Sequence, residues 1–109
     1  MTTQSMTKLN KTQLIIINNA LNEAVNGQTK NRIKGYNNKD LRKLLKFISS
    51  KFEEGYMDLS NLNEKEKSAI KDSINLAVEK IEDWEFHPLI GAEKQEANEL
   101  LALLYNTKD

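Results

Sequence analysis

Apolar residues recur at helical spacing in four stretches of the chain. In the first, Leu14, Ile17, Leu21, Ala24 and Val25 share one face. Asn10 stands where it caps the free N–H groups of a helix, Gln13 where it reaches back to complete a capping box, and Leu9 where it staples onto Leu14. Asn26-Gly27 supplies the stop, because glycine adopts the left-handed conformation that ends a helix cheaply. The second stretch opens with Tyr36, Asn37 and Asp40, runs through Leu41, Leu44, Leu45, Ile48 and Phe52, and ends at Gly55. A third opens with an Asn63/Glu66 capping box and places Ala69, Ile70, Ile74, Ala77, Val78, Ile81 and Trp84 inward. Pro88 breaks the pattern after His87, since it lacks a backbone donor and disfavours a helical residue before it. A fourth buries Ala97, Leu100, Leu101 and Leu104. The predicted fold is all-α: a single domain over residues 1–109, with four helices at about 10–26, 38–54, 64–85 and 92–105. Residues 1–8 form a loose N-terminal tail, and Tyr56, Met57 and Leu59 tuck beneath the bundle from the connection after the second helix.

The first and third stretches are versions of one another. Leu9 to Val25 aligns without a gap on Leu62 to Val78, with Leu9/Leu62, Asn10/Asn63, Ile17/Ile70, Asn22/Asn75, Ala24/Ala77 and Val25/Val78 identical. Each leads through a glycine-bearing loop, at Gly35 and Gly91, into a further apolar stretch, so the four helices read as two hairpins. Two residues of the first copy do not fit its inward face. At about 100° per residue, Ile16 points nearly opposite Leu14 and Leu21, and Ile15 falls among Asn18, Asn19 and Asn22. Either this helix is covered on two sides within the domain, or Ile15 and Ile16 form an interface with a partner, a second copy included.

Composition adds a charge division. Residues 1–52 hold ten Lys/Arg against two acids, +8, and residues 53–109 hold six against fourteen, −8, so the net charge is zero. Seven of the cations, Lys30, Arg32, Lys34, Lys39, Arg42, Lys43 and Lys46, lie within seventeen residues around Tyr36. Such a cluster tracks a phosphate backbone or holds a nucleotide, with Tyr36 stacking on a base, or else it is solvated or pairs with the acidic half. Asp72, Glu79, Glu82 and Asp83 share one side of the third helix and, with Glu85, Glu93, Glu96 and Glu99, offer an acidic surface that fits a basic groove on another protein.

No arrangement of residues carries catalysis. The chain has no cysteine and one histidine, which removes disulfides, thiolate chemistry and histidine-rich metal sites. A Walker-type loop, a His-Glu metal pair and a nucleophile elbow are all missing. Glu82, Asp83, Glu85 and His87 spread around a helix instead of converging, so no metal or cofactor is expected. The longest apolar run, Leu14 to Ile17, is far short of a membrane span, and the polar start has no leader-like core, so a cytoplasmic protein is expected.

The segment Arg32-Ile33-Lys34-Gly35-Tyr36 is similar to the Ile-x-Gly-Tyr entry of phage helical-hairpin proteins that sequester cyclic nucleotides, and Trp84 and Ile90-Gly91 to a later Trp and Ile-Gly there. The spacing differs and a helix precedes it, so no ligand contacts carry over. In overall character the chain resembles the small helical proteins with which phages interfere with host machinery or defence, which implies action in the host cytoplasm. The expected function is therefore a non-enzymatic inhibitor or regulator that occludes a surface of a host or partner protein. Nucleic-acid or cyclic-nucleotide binding through residues 30–46 is the alternative.

Overall fold

Helix α1, Lys11–Asn26, runs through the middle of the molecule, and the other elements are laid around it. The computed structural model describes residues 8–30 and 32–106; of the expected N-terminal tail, residues 1–7 lie outside this range. In chain order the elements are β1 (Lys8–Asn10), α1, α2 (Asn38–Glu54), β2 (Tyr56–Asp58), a 3-10 turn at Leu59–Asn61, α3 (Glu64–Lys80), α4 (Asp83–Ile90) and α5 (Lys94–Asn106). Helices α2, α3, α4 and α5 all pack on α1, and α3 packs on α5.

The local chemistry that starts the helices is as expected. Asn10 Oδ1 accepts from Gln13 N–H at 2.8 Å while Gln13 Oε1 accepts from Asn10 N–H at 2.8 Å. Asn63 and Glu66 repeat that box at 2.7 and 2.9 Å, and Asn37 caps α2 through Asp40 N–H at 2.8 Å. The two aligned stretches thus share their entry geometry. They also share their core positions, because Leu9, Leu62, Ile17, Ile70, Ala24 and Ala77 are all buried.

Helix α1 is covered on two sides by its own domain. Ile16 is 1% exposed, alongside Leu14, Ile17, Ala20, Leu21, Ala24 and Val25, and Ile15 packs partly buried against the same core. A helix apolar around most of its girth is stable only when buried. Gly91 supplies part of the cover: a Cβ there would come within 3.3 Å of Ile15 Cδ1. Asn19 Nδ2 donates to the Ile90 carbonyl at 2.8 Å, satisfying an acceptor that the end of α4 leaves open. The interface expected at Ile15 and Ile16 is therefore internal, and the argument for a dimer through them falls away.

Three further expectations are corrected. First, the third apolar stretch is two helices. Helix α3 stops at Lys80, Ile81 and Glu82 take extended backbone, and α4 starts at Asp83. The break is set by burial: Ile81 is drawn into the core, and Phe86 and Ile90, four apart, give α4 an inward face of its own. Pro88 sits inside α4 and not at its boundary. In so short a helix it removes one hydrogen bond, that to the Trp84 carbonyl.

Second, Gly27 ends α1 with φ −123° and ψ −137°, not in the left-handed region. Its value is space, because a Cβ would collide with the Glu23 carboxylate, which folds over it to accept from Gln28 N–H at 2.9 Å. Third, the fold is not purely helical. Lys8, Leu9 and Asn10 pair antiparallel with Asp58, Met57 and Tyr56, so Leu9 and Met57 enter the core together while Tyr56 stays outside.

Truncating Ile16 to Ala is expected to cost about 2–4 kcal/mol of unfolding free energy, the usual penalty for emptying a core position. Trp84→Ala, on the surface, is expected to shift it by no more than about 0.5 kcal/mol. Urea unfolding of the two variants measures both, and a near-neutral Ile16→Ala would contradict the enclosed helix.

Candidate functional site

The phase break after Lys80 decides where Trp84 lies. Continued as one helix, α3 would carry it inward on the spacing of Ile74, Ala77 and Ile81. With the phase reset, Phe86 and Ile90 turn inward, and Trp84 is 77% exposed. This corrects the expectation that it joins the core. His87 and Pro88, three and four residues on, are exposed beside it on the same helical face. The sequence signal for this arrangement is the acidic start Glu82-Asp83 followed by the Phe86/Ile90 pair, which marks a new helix within the stretch.

Carboxylates are concentrated in the sequence that flanks Trp84. Between residues 82 and 96, five acids stand against Lys94 alone. Asp83 Oδ1 is held by Lys94 Nζ at 2.6 Å, and Glu85 Oε1 accepts from Gln28 Nε2 at 3.2 Å. Glu93 Oε2 lies 4.0 Å from His87 Nε2. Glu82 is exposed, makes no side-chain cap and forms no ion pair with another described residue.

Trp84 also differs from every other aromatic residue. Each of the three tyrosines and three phenylalanines has a lysine ammonium 4.9–5.7 Å from its ring centroid: Lys65 on Tyr36, Lys51 on Phe47, Lys11 on Phe52, Lys8 on Tyr56, Lys94 on Phe86 and Lys71 on Tyr105. Trp84, whose indole is the strongest acceptor for such a cation, has none among the described residues.

The basic candidates form a separate face. Lys30, Arg32 and Lys34 on the α1–α2 connection and Lys39, Arg42, Lys43 and Lys46 on α2 are all exposed, and none forms an ion pair with another described residue. Their stripe is opposite the buried Leu41, Leu44 and Ile48. Tyr36 is not freely available for stacking, being half-buried with Lys65 over its ring. Its hydroxyl is pushed above the ordinary value of 10.0, by burial first and then by the Glu66 and Asp40 carboxylates.

The acidic candidates divide between two places. Asp72 and Glu79 face Arg32 and Lys34 across an open groove of about 300 Å³, floored by Ile33 and Leu76, with no ion pair closing it. Glu82 and Asp83 belong instead to the Trp84 surface. Among the described residues, no three His, Asp or Glu side chains are placed to hold a metal ion. No described helix is long and apolar enough to cross a membrane. Compared with protein-family models, curated proteins and solved structures, the chain has no match.

Proposed function

We propose that this chain is a non-enzymatic interaction protein, an inhibitor or regulator that works by occupying a surface of a host or partner protein. The observation that carries this reading is Trp84, the only tryptophan in the chain, standing 77% exposed on a short helix whose other face is anchored by buried Phe86 and Ile90. Exposing an indole forgoes its large hydrophobic gain, and tryptophan is the residue most enriched among the anchors of protein interfaces. Pro88 and His87 extend the same face, and the exposed Glu82, Asp83 and Glu93 of the flanking sequence are the polar residues from which a rim around such an anchor would be drawn.

A second reading has its own observation. All seven cations of residues 30–46 are exposed, and none forms an ion pair with another described residue. A nucleic-acid backbone fits that face, and a nucleotide would use Arg32 and Lys34 of the same stretch.

Affinity capture from nuclease-treated lysate tests the first reading. Wild-type protein is expected to retain a specific partner that Trp84→Ala, folded by circular dichroism, loses; undiminished capture by Trp84→Ala would overturn it. For the second reading, Arg42→Glu combined with Lys46→Glu is expected to abolish duplex binding with helicity intact. Contacts from all seven cations would give a log–log salt slope of about −6 on duplex DNA. Binding independent of salt, or none, would remove that reading.

A further inference from the structure

We infer that the Trp84 surface takes a guanidinium group from an arginine-bearing, basic segment of a partner protein, which stacks on the indole face. The inference rests on the interaction reading above and names the chemistry of the partner. Two independent observations lead to it.

The first is the missing cation. This fold places a lysine ammonium over each of its tyrosine and phenylalanine rings at 4.9–5.7 Å, and the indole has none among the described residues. Lys94, the one lysine or arginine between residues 82 and 96, is committed elsewhere: its ammonium pairs with Asp83 at 2.6 Å and lies 5.7 Å from the Phe86 centroid. The second is charge. Glu82, Asp83, Glu85 and Glu93 flank Trp84 in the sequence against Lys94 alone, and the Glu82 carboxylate has no partner among the described residues. An approaching cation finds an aromatic face and, two residues away in the chain, a carboxylate unpaired among the described residues, whereas an anionic surface would be repelled.

Arginine fits better than lysine or a quaternary ammonium. A quaternary ammonium is best held when several rings enclose it, and a lysine ammonium, though it sits over single rings elsewhere in this fold, has no flat face with which to stack on an open indole. A planar guanidinium lies flat on one ring and keeps its edge N–H groups for a carboxylate at the rim. A basic segment, in place of one isolated arginine, matches the spread of carboxylates from Glu82 to Glu93.

Because Trp84 is the sole indole, its emission reports on this site alone. The experiment titrates the full chain with an oligo-arginine peptide, following Trp84 fluorescence, with oligo-lysine, oligo-glutamate and spermidine as comparisons. Expected is a saturable change with oligo-arginine that weakens as salt rises, weaker binding of oligo-lysine and spermidine, and none of oligo-glutamate. By calorimetry, Trp84→Ala should raise Kd about tenfold, with Trp84→Phe in between. Glu82→Gln plus Glu85→Gln should raise it about threefold or more. Asp72→Asn plus Glu79→Gln, which removes as many charges from the α3 groove, should leave it unchanged.

Equal Kd values for wild type and Trp84→Ala would overturn the inference. So would oligo-lysine or spermidine binding as tightly as oligo-arginine. Self-association of the chain that Arg42→Glu abolishes and oligo-arginine reverses would assign the cation to a second copy, which also overturns it. If Trp84→Ala loses its captured partner while oligo-arginine leaves the emission unchanged, the interaction reading survives and the arginine assignment falls.

Discussion

The enclosure of α1 is the constraint on which the rest of the structure depends. Seven of its residues between Leu14 and Val25 are buried apolar side chains distributed around most of its girth. Each contributes roughly 1.5–3 kcal/mol only if water is excluded from it, alanine rather less. A chain of this length satisfies that demand by surrounding one helix with all the others. Helices α2 and α3 flank α1, α5 leans on both α1 and α3, and the end of α4 closes the side on which Ile15 and Asn19 lie.

Enclosing one helix frees the outer faces of the remainder. Helix α2 needs only Leu41, Leu44 and Ile48 inside and carries a row of unpaired cations outside. Helix α4 needs only Phe86 and Ile90 inside, and its outer face holds Trp84. The +8 and −8 halves do not cancel through ion pairs between the basic stretch and α3; they meet across an open groove at Arg32, Lys34, Asp72 and Glu79. The molecule therefore presents exposed residues of opposite sign on α2 and on α4, and the acidic stretch carries the exposed Trp84.

What was legible in the sequence was the chemistry that acts over three or four residues. Asn10 with Gln13, Asn63 with Glu66, and the stripe on α2 are local patterns, and they form as such. The short pairing of Lys8–Asn10 with Tyr56–Asp58 was not legible, because nothing within either triplet names the other. Ile16 left two outcomes open, and only the packing of the whole chain chose between them. Trp84 was misplaced for a related reason: Ile74, Ala77, Ile81 and Trp84 continue one helical phase, so the spacing conceals a break that burial of Ile81, Phe86 and Ile90 imposes. The aromatic rings covered by lysines were equally invisible, since four of the six pairs join residues more than ten apart in the chain. The candidate site thus became visible only once the ring without a cation could be compared with those that have one.

The central claim is that the only indole of the chain stands in solvent within a negative field. Charged quenchers of its fluorescence test that directly, without a partner and without a substitution. Expected is a red-shifted emission whose ratio of caesium to iodide quenching constants exceeds that of free N-acetyltryptophanamide, with the excess shrinking as inert salt screens the carboxylates. A blue-shifted emission that resists both ions, or a caesium-to-iodide ratio at or below that of the free amide, would contradict it.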